Sequence, residues 1–188
     1  MEFIEYGKGS LLIANPVLPD PNFSRTVVLL CNHNEEGSFG LVVNRKAELM
    51  AREVFPKSDL LRTYDADVFI GGPVAQSQVF YLIRHAEPLA DLEPVCPGIQ
   101  MGMSWETLEE VFPRLNQPGQ DLRFYLGYSG WGSGQLAGEM EQRSWLIRQA
   151  NDDFVFPPQE NQLWHNVVRS LGKDYEYLLH APVDPRWN

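Results

Sequence analysis

Residues 25–31, Arg25-Thr26-Val27-Val28-Leu29-Leu30-Cys31, run β-branched and apolar with no polar residue set against every apolar one. Such a segment reads as a central strand buried on both faces, so it commits the chain to a sheet-based fold. The polar stretch Asn32-His33-Asn34-Glu35-Glu36-Gly37-Ser38 follows as a turn, and Phe39-Gly40-Leu41-Val42-Val43-Asn44 as the returning hairpin strand. Upstream, residues 10–14 make a short strand that ends at the Pro-rich run 15–21.

Further along, the pattern predicts a helix over 47–55 stopped before Pro56, a strand over 67–70 leading into the turn Gly71-Gly72-Pro73, and a strand over 79–84. A helix over 105–115 has Ser104 placed to cap it and Glu106 near its positive end, and Pro118-Gly119 closes it. Leu122, Phe124 and Leu126 alternate with Arg123, Tyr125 and Gly127, the period of a strand with one buried face. Next come a helix over 135–149 carrying Leu136, Met140 and Ile147 beside Trp145, and a short strand over 153–156. A last helix over 161–171 has Gly172 as its C-terminal cap. Strands and helices mix without a regular βαβ rhythm, which makes the fold α+β.

At 188 residues and 44% apolar content the chain is one domain, residues 1–188. Fifteen Lys and Arg against 25 Asp and Glu give a net charge of −10, and the only adjacent basic pair is Arg45-Lys46. Phosphate-driven binding to DNA or RNA needs a basic stripe, so nucleic acid is not expected as the main ligand. No apolar run approaches the ~20 residues of a membrane helix. Residues 1–6 carry no basic segment leading into an apolar one, so a cytoplasmic protein is expected. Cys31 and Cys96 are too few for a disulfide scaffold and are read as packed thiols.

Gly127-Tyr128-Ser129-Gly130-Trp131-Gly132-Ser133-Gly134-Gln135 is the most unusual stretch. Placed between a strand and a helix, its glycines would let backbone N–H groups converge on a phosphate, carboxylate or sulfate. Ser129, Ser133 and Gln135 would add polar contacts and Trp131 a stacking wall; a tight strand-to-helix turn is the structural alternative. The stretch lacks the Gly-Lys-Ser/Thr of a P-loop, and with Ser129 central it is not a Gly-x-Ser-x-Gly elbow. No two of His33, His85, His165 and His180 stand at i, i+3 or i, i+4. Cys31-x-His33 with Glu35-Glu36 is accounted for by a polar hairpin mouth, so neither a metal nor a cofactor is expected. His33 would serve as a general base if Asp20 or Glu139 folds beside it. Arg25 would clamp an anion or pair with Asp20.

In order along the chain stand Gly9-Ser10-Leu11-Leu12-Ile13-Ala14, Asp20-Pro21-Asn22-Phe23-Ser24-Arg25-Thr26-Val27, His33-Asn34-Glu35-Glu36-Gly37 and Gly40-Leu41-Val42-Val43-Asn44. Gly71-Gly72-Pro73-Val74 and Gly130-Trp131-Gly132-Ser133-Gly134-Gln135-Leu136 complete a set, within residues 7–150, that resembles the AlgH/YqgE family. The set departs from that pattern at Val79, Ile83 and Ala137, where Gly, His and Glu are usual. The resemblance implies a bacterial protein with one compact domain, a mixed sheet bent into a pseudo-barrel and flanked by helices. It implies no known reaction, and the transcriptional-regulator label of some members marks a genetic association. The residues its motifs point to are Asp20, Arg25, His33, Asn44, Ser129, Trp131, Gln135 and Glu139.

Three functions follow as expectations. The first is a non-enzymatic regulatory or binding protein that holds a small anionic ligand or a partner's peptide with Arg25, Asn44, Ser129, Gly130, Trp131, Gly132, Gly134 and Gln135. The second is a hydrolase or transferase with His33 or Glu139 as base and loop N–H groups as an oxyanion cradle. Direct DNA binding ranks last, because a strand separates the two best helices.

Overall fold

A computed structural model describes residues 5–18, 20–56, 58–62, 64 and 66–181. Its strands are β1 (Ser10–Ala14), β2 (Val27–Asn34), β3 (Gly37–Val42), β4 (Lys46–Met50), β5 (Asp67–Ile70), β6 (Val74–Arg84), β7 (Glu93–Cys96), β8 (Ile99–Gly102), β9 (Leu122–Gly132) and β10 (Trp145–Gln149). The helices are α1 (Ala51–Val54), α2 (Asp59–Arg62), α3 (Trp105–Val111), α4 (Pro118–Asp121), α5 (Gln135–Glu141), α6 (Asp152–Val155) and α7 (Leu163–Ser170), with a 3-10 segment over Lys173–His180 after the last.

One sheet joins the strands in the order β10-β1-β2-β3-β9-β6-β8-β7, all antiparallel, while β5 pairs parallel with β9 and antiparallel with β4. β9 is the hub: β6 pairs along it from Leu122 to Tyr128, β5 from Phe124 to Leu126, and β3 from Ser129 to Gly132. The sheet curls into a half-barrel flanked by helices. Gly9 closes the curl near β7: its N–H donates to Leu30 O at 2.8 Å, and a Cβ there would stand 2.9 Å from Val95 O.

The double-sided apolar character of residues 27–31 now has its cause. Val27, Leu29 and Cys31 face the core inside the curl, with Leu11, Ile13, Phe80, Leu82 and the α7 residues Trp164 and Val168. Val28 and Leu30 face a second core under α5, with Trp131, Leu136 and Trp145. A third core packs α3 and α1 against β5, β6 and β9 through Leu108, Val111, Ala51, Val68 and Phe124. Helices thus flank the curled, mostly antiparallel sheet, in keeping with the α+β expectation.

Several boundaries differ from the sequence expectation. The turn at 32–38 shrinks to residues 35–36, because Asn34 Oδ1 accepts from the N–H groups of Glu36 and Gly37 at 2.9 and 3.2 Å and lets both strands run on. Residues 46–50 form β4 rather than the first half of a helix, since pairing with β5 overrides their helix propensity. The helix expected over 135–149 ends at Glu141: Arg143 turns the chain at φ 57°, and residues 145–149 pair with β1 as β10. Residues 152–155 are a helical turn rather than a strand, because Asn151 accepts from Phe154 N–H at 2.9 Å and two Asp follow at its positive end. The β7–β8 hairpin is absent from the sequence expectation. Its Pro97-Gly98 turn, with Gly98 at φ 75°, and Pro94 on an edge strand were the available signals.

Candidate functional site

The glycine-rich stretch is mostly strand, not loop. Ser129, Gly130, Trp131 and Gly132 pair in register with Gly40, Phe39, Ser38 and Gly37, so this backbone belongs to the sheet ladder. Only Ser133 and Gly134 turn the chain, and α5 begins at Gln135. Gln135 folds back so that its Oε1 accepts from Gly132 N–H at 3.1 Å, and Ser133 Oγ donates to Glu35 O at 2.7 Å. Ser129 is fully buried and donates to Gly71 O at 3.2 Å. Pairing with β3 thus takes up residues 129–132 and confines the expected loop to the turn at Ser133 and Gly134.

Several of the glycines permit close approach of backbones. A Cβ on Gly71 would lie 2.3 Å from Gly127 O, and one on Gly72 2.2 Å from Tyr128 C and O. Gly127 also sits at φ 67°, beneath a bulge in which β6 passes from Val74 to Val79 while β9 advances from Tyr128 to Leu126.

His33 and Glu139 do not form a catalytic pair. His33 Nδ1 bonds Ser38 Oγ across the hairpin at 2.7 Å, and its ring lies 5.1 Å from that of Tyr6. Glu139 Oε2 accepts from the indole N–H groups of Trp131 at 2.9 Å and Trp145 at 2.7 Å, while Oε1 accepts from Gln135 at 3.0 Å. The carboxylate is a strut between α5 and two buried tryptophans. Among the described residues, no three His, Cys, Asp or Glu side chains gather as a metal would need.

Arg25 does not pair with Asp20. Asp20 caps the 3-10 turn Pro21–Phe23 by accepting from Asn22 N–H at 2.8 Å. Arg25, at φ 50°, lies over the Trp164 ring at 5.1 Å; its Nη2 donates to Ala181 O at 2.7 Å and its Nη1 meets His165 Nε2 at 3.2 Å. Asn44 is a backbone staple whose Oδ1 accepts from Val27 N–H at 2.8 Å and whose Nδ2 donates to Arg25 O at 3.0 Å.

Because Arg25 is always a donor, His165 must be neutral to accept from it. Burial first, then Arg25 and Arg169, hold the His165 pKa below its ordinary value. A depressed histidine contributes stability that is complete above the unfolded value of about 6.5 and is lost as pH falls below it toward the folded value. Thermal melts from pH 7.5 to 5 should therefore show a loss in the wild type that is smaller in His165→Gln. Solvent screening keeps that difference to about 1–2 °C.

Among the described residues, two of the clefts carry several polar side chains and offer places for a ligand. One, about 530 Å³, is bounded by residues 44–46 and 158–161. Its cations are engaged: Lys46 Nζ meets Asp67 at 2.6 Å, and Arg45 Nη1 donates to Asn22 O at 2.7 Å. The other, about 570 Å³, opens at the mouth of the half-barrel. Phe39, Phe80 and Tyr128 form its wall, with ring centroids 5.0 to 5.9 Å apart. Met101 and Met103 line it beside them, Cys31 stands at its buried side, and Asn32, Gln78 and Glu93 complete it. Burial pushes the Cys31 thiol far above its ordinary pKa, so it is protonated and neutral there. Sequence reasoning missed this cleft because its residues come from β2, β3, β6, β7, β8 and β9, at no fixed spacing.

A family model described as AlgH-like matches residues 11–176. A protein of Cytophaga hutchinsonii named a UPF0301 protein is 38% identical over 182 residues, spanning 96% of this chain and 98% of that one. The solution structure of the AlgH protein from Pseudomonas aeruginosa is similar with a TM-score of 0.71 at 29% identity, covering 97% of each chain. A crystal structure of a Corynebacterium diphtheriae protein shares the fold, with a TM-score of 0.80 at 24% identity over 95% of this chain and 94% of its own.

Proposed function

This chain belongs to the AlgH-like family, and from that premise we propose that it is a non-enzymatic regulatory or binding protein holding a small molecule in the cleft at the mouth of the half-barrel. The observation that carries this reading is the lining of the cleft, in which three aromatic rings and two methionines stand beside two amides and one carboxylate. Mouths of β-barrels with an apolar wall and a few polar groups are habitual ligand sites. Support also comes from the motif glycines: Gly72 and Gly130 pack against Tyr128, and Gly130 pairs with Phe39 across the ladder. His33 and Glu139, the side chains that would act as bases, are held by Ser38 and by two tryptophans.

The ligand is thereby moved from the glycine segment to the cleft. An anion at residues 130–132 would face a backbone paired with β3, in a chain of net charge −10. DNA is disfavoured on the same charge, and α7 buries Leu163, Trp164, Val167 and Val168 in the core. Among the described residues no helix is long and apolar enough to cross a membrane. The unpaired thiols Cys31 and Cys96 accord with a reducing cytoplasm.

A neutral dye, Nile red, provides the test. Its fluorescence should rise on adding the protein. Binding should weaken at least fivefold in Tyr128→Ala and in Met103→Glu, the second at a residue 52% exposed and free to change without unfolding. Dye binding unaffected by both substitutions overturns the cleft. Turnover of phosphate or ester substrates that is lost in His33→Ala would replace the binding reading with the hydrolase one.

A further inference from the structure

We infer that the cleft accepts an organic cation, a ring or short alkyl group bearing an ammonium, in preference to a neutral or anionic compound of the same size. The inference rests on the cleft being the ligand site and adds the charge of what enters it. Among the nine residues that line it, Glu93 is the one acid and none is Lys, Arg or His. That carboxylate already meets an ammonium, because Lys8 Nζ is bonded to it. The two side chains are 36% and 60% exposed, so the pair sits at a solvent-facing lip where an incoming cation can share or replace it.

The wall suits the same chemistry. Phe39 is tilted 39° to Tyr128 and 55° to Phe80, and Phe80 meets Tyr128 edge to face at 77°, so no pair is stacked flat. Aromatic faces carry negative charge density and attract ammonium groups. The polarisable thioethers of Met101 and Met103 adapt to ligand shape. Phe80 and Cys31, both nearly fully buried, form an uncharged inner side for the apolar part. Glu35 and Glu36, exposed at the tip of the β2–β3 hairpin, and the overall charge of −10 add a long-range field that favours cations over anions.

Displacement of Nile red at low salt by benzyltrimethylammonium, benzyl alcohol and benzoate varies charge around one ring. The cation should bind at least tenfold more tightly than the alcohol, with benzoate weakest. Glu93→Gln should bring the cation to within about threefold of the alcohol, and Lys8→Gln should tighten the cation. Equal binding of cation and alcohol, tightest binding of benzoate, or indifference to Glu93→Gln overturns the cation preference and leaves the cleft standing. Failure of all three to displace a dye sensitive to Tyr128→Ala also overturns it. A dye that does not bind, or that ignores the cleft substitutions, removes the cleft itself.

Discussion

Gly72→Ala should be the most damaging single methyl group that this chain can acquire, with an expected loss of at least about 4 kcal/mol. The added Cβ would stand 2.2 Å from the carbonyl carbon and oxygen of Tyr128 and 2.4 Å from Ser129 N, all backbone atoms that no rotamer change can move away. Relief requires the segment after β5 to part from β9, whose three partners hold it in place. Gly132→Ala is the control, because nothing lies within 4 Å of its added Cβ. Its stability should stay within about 0.5 kcal/mol of wild type. Urea unfolding with an unchanged m-value measures both. Equal tolerance at the two positions would deny that the Gly-Gly-Pro motif serves close packing.

The second large effect is expected at Glu139. Trp131 and Trp145 are only 5% and 3% exposed, and both indole N–H groups end on the same carboxylate oxygen. Hydrogen bonds to a charged group contribute about 1.5–3 kcal/mol each, and a buried donor left alone is costly. Glu139→Leu should destabilise by about 3–4 kcal/mol. Glu139→Gln, which keeps one acceptor oxygen, should lose roughly half as much. A double-mutant cycle with Trp131→Phe should show strong coupling, since the two residues share one contact. Loss of a catalytic activity with stability unchanged would instead make Glu139 the base of a reaction.

The sequence made most of the sheet legible because its strands bear local marks. Residues 27–31 are apolar on both faces, residues 122–126 alternate, and Ser104 announces a helix by accepting from Thr107 N–H at 3.2 Å. Errors fell where tertiary pairing outweighs local preference. Lys46-Ala47-Glu48-Leu49-Met50 is a good helical sequence drawn into β4 by β5, and Ile147 fits a helical face with Leu136 and Met140 while on β10 it alternates inward with Trp145. The motifs mark certain residues but not their tasks. Arg25, Asn44, Ser129 and Glu139 resemble ligand groups in a list of polar residues, and only their partners reveal them as staples. The cleft lay beyond reach because curling of the sheet, rather than sequence spacing, brings Phe39, Phe80 and Met101 together.

Pairing of β1 with β10 bears on how the chain is made. Ser10 lies opposite Gln149 and Ala14 opposite Trp145, so one edge of β1 waits for a segment synthesised much later. At about 5–20 residues per second, a ribosome takes roughly 7–28 s to cover that interval. Throughout it, Leu11, Leu12 and Ile13, wholly buried in the finished protein, belong to a nascent strand with an unpaired edge. The interval of greatest exposure to aggregation is therefore during translation, and slowing elongation before residue 149 would lengthen it without altering the native state.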